Sequence, residues 1–199
     1  MAIWKSKNWK ASAMMKFRNS IFPIILVCFL SCNKSQLSKD LGCDVKRIQN
    51  LETIEDVHKK FSLQLPSHWK TNLYYDNKLS SIFSADTTKQ LTETYLVDVT
   101  QINSEIKFDT DFLVGYQNQL KNQQLVESSS FETPFLKKES FYSRALGKKA
   151  GYPYQVINLF IRLNGESHIH AKAEVYGDSL ANERLCKALS LIEKTTIHP

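Results

Sequence analysis

The 199-residue chain contains 26 Lys and Arg against 20 Asp and Glu, which gives a formal net charge of +6 at pH 7. Five of the basic residues and no acid precede residue 32, so residues 32–199 hold 21 basic and 20 acidic residues. Nucleic-acid binding requires a clustered basic face, and this near-neutral balance therefore argues against a nucleic-acid partner. Residues 32–199 have the length of a single domain with its own core.

Residues 14–32 have the order of a bacterial lipoprotein signal sequence. Lys16 and Arg18 form a charged start, residues 21–30 (IFPIILVCFL) are a short apolar run, and Ser31 precedes Cys32. The pattern predicts a signal peptide over residues 1–31 and palmitate or a similar acyl group on Cys32. Residues 1–13 precede a complete leader, which is typical of a misassigned start codon.

Two other interpretations of the leader stay open. An uncleaved membrane anchor needs about 20 apolar residues, and the apolar run here is shorter and contains Pro23. Ordinary secretory cleavage would leave Cys32 as a free thiol. If Cys32 is acylated, the residue after it is Asn33 and not Asp, which in the enteric sorting scheme favours the outer membrane.

Residues 32–45 are predicted to be a lipidated tether, because residues 33–39 (NKSQLSK) are polar and lack apolar periodicity. A single domain is expected over residues 46–199. Cys43 and Cys186 are the cysteines left in this part of the chain, and an oxidising compartment favours a disulfide between them. Two buried free thiols are the alternative.

Apolar spacing predicts the elements of the first half of the domain. Leu51, Ile54 and Val57 recur at helical spacing and predict a short helix over residues 50–60. The segment FSLQLPSHW, residues 61–69, alternates like a strand and ends at a proline, after which Trp69 is expected to fold back onto the sheet. Further strands are predicted over residues 81–85 and 94–102, followed by a helix over 111–123.

Strands are predicted over residues 124–132 and 139–146, with a turn over 147–151, before the strongest local signal. Two long apolar runs flank Asn164-Gly165, a dipeptide typical of a two-residue hairpin turn. That turn predicts that Ile161 faces His168 and that Leu159 faces His170. The predicted hairpin has two apolar faces. One carries Ile157, Leu159 and Ile161, and the other carries Val156, Phe160, Ile169, Ala171, Ala173 and Val175. Apolar residues on both faces indicate a sheet covered by helices on one side and in part on the other.

A final helix is predicted after Asp178 or Ser179, which serve as candidate caps, and it is expected to pack on the hairpin sheet. The element order, FSLQLPSHW near the start and SLANERLCKALSLIEK at the end resemble the PsbP-like family over residues 61–192. The resemblance implies an α+β fold with a central antiparallel sheet between helices, an α/β/α sandwich. The leader and the Tyr, Asn and Lys content also resemble those of flavobacterial lipoproteins.

His168 and His170 form an H-x-H pair, which on a strand projects both imidazoles to one face and permits a transition-metal site. The alternative is two half-exposed histidines beside Leu159 and Ile161. The candidate third ligands are Glu166, Glu174, His58, His68 and His198.

No serine-hydrolase elbow and no phosphate-binding glycine loop occurs in the sequence. Asp109 and Asp111 fit the first turn of a helix, and Asp98 receives no catalytic role. Tyrosines and Trp69 are candidates for a peptide or glycan groove, against the alternative that they are core and rim. The full aromatic set is Trp69, Tyr74, Tyr75, Tyr142, Tyr152 and Tyr154.

These patterns predict a lipid-anchored protein of the cell envelope with a non-enzymatic domain that binds a protein partner. The membrane contact is expected through Cys32, and we assign no catalytic residue, metal or cofactor. One alternative is an envelope hydrolase or metalloenzyme using His168 and His170. Another is a periplasmic carrier with an apolar pocket between sheet and helix.

Overall fold

The structure is a computed structural model that describes residues 35–198. The predicted signal peptide, the acylation site Cys32 and the sorting residue Asn33 lie outside the described residues. Within residues 35–198, no helix is both long enough and apolar enough to cross a bilayer.

Three helices and ten strands make up the described chain. In chain order they are α1 (Gln36–Asp40), β1 (Leu51–Glu55), β2 (Phe61–Pro66), β3 (Lys70–Tyr75), β4 (Leu79–Ala85), β5 (Leu96–Ile102), α2 (Thr110–Asn122), β6 (Val126–Glu132), β7 (Ser140–Lys149), β8 (Tyr152–Arg162), β9 (His168–Tyr176), α3 (Ala181–Ile192) and β10 (Thr196–Ile197).

Seven strands form the central sheet in the order β3-β4-β5-β9-β8-β7-β6, and every neighbouring pair is antiparallel. A smaller sheet has the order β1-β2-β10. Because side chains alternate across the pleat, the central sheet has two distinct faces. Helix α3 covers one face and helix α2 covers part of the other, which confirms the predicted sandwich of a central antiparallel sheet between helices.

The α3 face carries the larger core. Ile82, Val99, Ala171 and Leu159 lie side by side across four strands and are fully buried. Apolar residues of α3 complete this core, among them Leu185, Leu189 and Ile192. The helix therefore packs on the hairpin strands, as predicted.

The β8–β9 register is one residue away from the prediction. Ile161 pairs with Ile169, and Leu159 pairs with Ala171. The turn is longer than two residues because the Asn164 side-chain oxygen accepts a hydrogen bond from the Glu166 amide at 2.8 Å, which adds Glu166 to the loop. A slip of one residue moves a strand's side chains to the opposite face. The two predicted apolar sets therefore mix: Ile169, Ala171, Ala173 and Val175 share the face of Ile157, Leu159 and Ile161.

The predicted helix over residues 50–60 is wrong, because Leu51–Glu55 is strand β1 and pairs with β2. A tight turn follows it. The buried Asp56 carboxylate accepts hydrogen bonds from the backbone amides of His58, Lys60 and Phe61 at 2.9, 2.5 and 2.8 Å. That turn sends the chain back as β2, so the spacing of Leu51, Ile54 and Val57 does not reflect a helical face.

The predicted tether is folded from Ser35 onward. Gln36–Asp40 is helix α1, and the side chain of its residue Leu37 is fully buried in the core on the α3 side of the sheet. Cys43, placed in the same tether by the sequence, is joined to Cys186 of α3 by the disulfide that the redox argument favours. The polarity of residues 33–39 concealed α1, because the helix has only one apolar side chain and Ser38 contributes a hydrogen bond to Glu193, just after α3.

Neither predicted cap begins helix α3. The residue before the helix is Leu180, whose backbone is left-handed at φ 50° and provides no side-chain cap. Arg184 of α3 instead donates hydrogen bonds to the carbonyl oxygens of Gly177 and Ser179 at 3.2 and 2.7 Å. The guanidinium fixes the β9–α3 turn from inside the molecule.

Candidate functional site

A groove of about 610 Å³ lies on the α2 side of the central sheet, and we call it the polar groove. It exists because α2 covers only one end of that face. Phe112 and Tyr116 of α2 pack on Phe141 and Phe160, with ring centroids 5.2 to 5.9 Å apart. The groove is lined by Asp98, Thr100, Ile102, Gln119, Gln123, Leu125, Lys148, Lys149, Tyr154, Val156, Asn158, His170, Lys172 and Glu174.

Charges of alternating sign run along the floor of the polar groove. Lys172 lies between two acids, with its Nζ 2.6 Å from Asp98 Oδ2 and 3.6 Å from Glu174 Oε1. Glu174 Oε2 in turn lies 3.2 Å from the Nζ of Lys149. Ser81 donates a further hydrogen bond to Asp98 at 2.9 Å. Each charge is thus held by at least one opposite charge, which fixes the side chains before any ligand arrives.

The ammonium group of Lys149 lies over two tyrosine rings. Its Nζ lies 4.7 Å from the ring centroid of Tyr154 and 5.7 Å from that of Tyr176, a cation–π arrangement. Burial alone would lower the pKa of Lys149, but the Glu174 carboxylate and the Tyr176 hydroxyl hold that pKa above its usual value. Burial, with the nearby Glu174 charge, raises the pKa of Tyr154. Lys149 therefore remains charged and Tyr154 neutral.

His170 stays uncharged in the groove. Burial is the main reason that its pKa falls to about 3, and the nearby Lys172 charge lowers it further while Asp98 opposes the shift. Its ring stacks on Phe160 at a centroid distance of 4.2 Å, and Nε2 lies 2.9 Å from Asn158 Oδ1. Since Oδ1 accepts, Nε2 must carry the proton in this pair.

His168 projects to the same face as His170, as the H-x-H spacing predicts, but it is buried and its Nδ1 lies 2.8 Å from the Ser104 carbonyl oxygen. Other candidate ligands are engaged elsewhere: His68 lies 3.6 Å from Asp86, and His198 lies 3.2 Å from the Ser62 hydroxyl. Among residues 35–198, no three His, Cys, Asp or Glu side chains are grouped so that they could hold a metal ion.

Of the predicted aromatic set, Tyr154 alone lines the polar groove. Trp69 is buried and packs edge-on against Tyr95 at 5.0 Å, so it does fold back into the core. Tyr142 is fully buried in that core. Tyr74, Tyr75 and Tyr152 are exposed side chains outside the groove.

Asp109 and Asp111 have structural roles, as predicted from the sequence, whereas Asp98 lies in the polar groove. Asp109 caps α2 by accepting a hydrogen bond from the Phe112 amide at 3.0 Å, and Asp111 lies in the first helical turn. Asp98 is the acid that pairs with Lys172. The sequence patterns gave no role to Lys172 or Asn158, and they indicated Glu174 only as a candidate third metal ligand. The signal for Lys172 and Glu174 was the recurrence of polar residues at every second position of β9.

No protein-family model matches the chain, and no curated protein matches it. Among solved structures, it is similar to cyanobacterial PsbP (CyanoP) from Synechocystis sp. PCC 6803, with 11% identity, coverage of 78% of this chain and 97% of that chain, and a TM-score of 0.51. LpqN, involved in cell envelope biogenesis of Mycobacterium tuberculosis, has 16% identity, coverage of 84% and 99%, and a TM-score of 0.46.

A protein from Bacteroides thetaiotaomicron VPI-5482 shares 13% identity over 76% of this chain, with a TM-score of 0.45; the match spans 50% of that protein's length. The fold and the CyanoP comparison together define the class: an α+β protein of PsbP-like fold. At this level of identity the likeness concerns the fold.

Proposed function

We propose that the chain is a lipoprotein of the cell envelope whose folded domain binds a protein partner through the polar groove, without catalysing a reaction. Acyl groups on Cys32 would fasten it to a membrane, with the outer membrane favoured by Asn33. The observation that carries the binding role is the preorganised row of charges formed by Asp98, Lys172, Glu174 and Lys149.

The row suits a protein surface because it presents both signs of charge in a fixed order. A partner with the complementary order gains specificity and a faster encounter from such an arrangement. The ion pairs already restrain these side chains, so that binding loses less side-chain entropy than it would for mobile lysines. The groove floor also includes neutral donors and acceptors, among them Thr100, Asn158 and Gln123.

The state of the histidines supports binding over acid–base chemistry. A general acid or base works best with a pKa near the operating pH, and that of His170 lies at about 3. The contacts of His170 with Asn158 and of His168 with Ser104 occupy one ring nitrogen of each. The alternative of a hydrolase or metalloenzyme at this pair would require both contacts to be rearranged.

The filled space beneath α3 supports surface binding over apolar transport. Leu185, Leu189 and Ile192 of α3 are buried against the sheet and occupy the position of the expected apolar pocket. A carrier of an apolar ligand would have to open this core. The polar groove, which lies on the opposite face, needs no such change.

Acylation is tested first. Cells grown with radiolabelled palmitate should label the wild-type chain and not the Cys32→Ala variant, while Cys43→Ala serves as a thiol control and should label like wild type. Unlabelled wild-type protein in the soluble fraction would overturn the anchoring part of the proposal.

Partner binding is tested by placing a photo-crosslinking residue at Gln123, on the groove, and at Thr87, an exposed residue of the β4–β5 turn. Irradiated cells should give one defined protein adduct from Gln123 and none from Thr87. Thr100→Arg puts a long side chain in the groove and replaces none of the four charged residues, although it removes the Thr100 hydrogen bond to Asp98. It should abolish the adduct, while Thr87→Arg should not. Equal adducts from both positions, or persistence in the folded Thr100→Arg variant, would overturn the groove as the binding surface.

A further inference from the structure

A second groove, of about 1060 Å³, has a surplus of positive charge, and we call it the basic groove. Three exposed lysines line it: Lys60 after β1, and Lys137 and Lys138 before β7. Glu166, in the β8–β9 turn, is the one acid along its lining. Within residues 35–198, no carboxylate forms an ion pair with any of these three lysines.

The C-terminal end of α3 connects this groove to the start of the folded chain. The Ser35 and Ser38 hydroxyls both donate to Oε1 of Glu193, at 2.6 Å for Ser38. Two residues after Glu193 comes Thr195, the first of the C-terminal residues that line the basic groove. The start of the folded domain, at Ser35, therefore lies close to the C-terminal residues that line the basic groove.

The covalent distance from the acylation site to this end is short. Cys32 lies three residues before Ser35, and Thr195 lies two residues after Glu193. With consecutive Cα atoms 3.80 Å apart, these segments span at most about 11 Å and about 8 Å. Counting the Ser35–Glu193 contact, the path along the chain from Cys32 to the rim of the basic groove is therefore no longer than roughly 25 Å.

We propose that the basic groove is the membrane-facing surface of the domain and docks on anionic phospholipid head groups of the bilayer that holds the anchor. The inference rests on the acylation of Cys32 in the proposed function. Lysines act on an anionic surface only within about a Debye length, near 8 Å at physiological salt, and a link of this length lets the basic groove rest on the bilayer surface.

The test uses the full acylated protein, purified in detergent and reconstituted into vesicles of pure phosphatidylcholine or of phosphatidylcholine with phosphatidylglycerol. A water-soluble amine reagent and mass spectrometry measure the rate at which each lysine is modified. Lys60, Lys137 and Lys138 should react several-fold more slowly in the anionic vesicles than in the neutral ones. Lys89 and Lys121, exposed side chains away from the basic groove, should react equally in both.

A charge-matched pair of variants provides the second measurement. Replacing Lys60, Lys137 and Lys138 by Gln should speed transfer of the protein from anionic to acceptor vesicles by about fivefold for each lysine that contacts the surface. Replacing Lys70, Lys89 and Lys121 by Gln should leave the transfer rate unchanged. In 0.5 M salt the difference should disappear.

The outcomes separate the two proposals. Acylated protein whose groove lysines react equally in both vesicle types, or whose two triple variants transfer alike, would overturn the membrane-facing groove and leave the anchor intact. Protein with an unmodified Cys32, read from the mass of its N-terminal peptide, would overturn the anchor and this inference together.

Discussion

The Nζ of Lys172 on β9 lies 2.6 Å from Oδ2 of Asp98 on β5, and the two residues face each other directly in the register of these strands. This ion pair is the shortest in the polar groove and joins the neighbouring strands β5 and β9 on the side that α2 leaves open. Both side chains are largely shielded from water, at 28% and 16% exposure. Their interaction is therefore screened less than that of a surface pair.

Lys172→Met is expected to lower the free energy of unfolding by about 1–2 kcal/mol, because it leaves Asp98 with only its hydroxyl donors in a partly buried site. Lys107→Met is the matched control. Lys107 pairs with Glu105 at 3.4 Å, but both side chains are well exposed, so its loss should cost less than about 0.5 kcal/mol. Urea unfolding measures both values, and equal effects would contradict a special role for the groove pair.

The partly buried, neutral His170 predicts a stability that falls in acid. Its pKa is about 3 in the folded chain, against 6.5 for an ordinary histidine, so between these pH values the unfolded chain binds the extra proton. Stability is then fully present above pH 6.5 and is lost as the pH falls toward 3. Linkage gives a loss of about 3 kcal/mol between pH 7 and pH 4.

Comparison with His170→Gln isolates this effect from the carboxylates, including the adjacent Asp98. Wild type should lose about 3 kcal/mol more than His170→Gln over that pH range in urea unfolding. The ring resonances of His170 followed by NMR should show no titration above about pH 4. A titration midpoint of His170 near neutral pH would contradict the conclusion that this histidine is uncharged in the folded chain.

The Cys43–Cys186 disulfide closes a loop with a sequence separation of 143. Cys43→Ala with Cys186→Ala should lower the free energy of unfolding by about 2–4 kcal/mol, since a long loop loses much entropy in the unfolded chain when it is closed. Wild type in reductant should match the double variant, and the double variant itself should be insensitive to reductant. An unchanged unfolding midpoint of reduced wild type would show that the bond contributes nothing.

Local patterns in the sequence predict much of the fold because most helices and strands here are determined by the apolar spacing and capping residues within their own segments. The alternation at Phe61–Pro66 gives strand β2, and the Asp109 cap with its apolar stripe gives helix α2 within one residue of the observed bounds. Strand β3 escaped prediction because Lys70–Tyr75 is an edge strand and its residues are half-buried or exposed, which leaves no clear apolar side.

The polar groove was not predictable, because it depends on pairing between distant strands. His170 was singled out only as part of the H-x-H pair, Lys172 received no role, and the predicted register put His170 opposite Leu159 in place of Phe160. The longer loop is stabilised by hydrogen bonds to the Asn164 side-chain oxygen from the Glu166 amide and the Ser167 hydroxyl. The Asn-Gly dipeptide does not reveal a loop length that depends on such contacts.

Arg184 is the buried charge on which the start of α3 depends. Besides its two bonds to the β9–α3 turn, its Nη1 donates to the carbonyl oxygens of Thr94 and Tyr176, each at 2.9 Å. Arg184→Met removes all of these donors and should lower the free energy of unfolding by about 3–5 kcal/mol, because buried carbonyls are left unpaired.

Arg184→Lys tests whether the planar guanidinium group is needed or whether a positive charge is enough. An ammonium on a shorter stem cannot reach four carbonyls at once, so this variant should recover less than half of the loss and stay about 2–4 kcal/mol below wild type. Lys187→Ala, one turn further along α3, removes only an exposed pair with Glu183 and should cost about 0.3–0.5 kcal/mol. Full recovery by lysine would show that positive charge alone holds the turn, and it would contradict the four-carbonyl geometry.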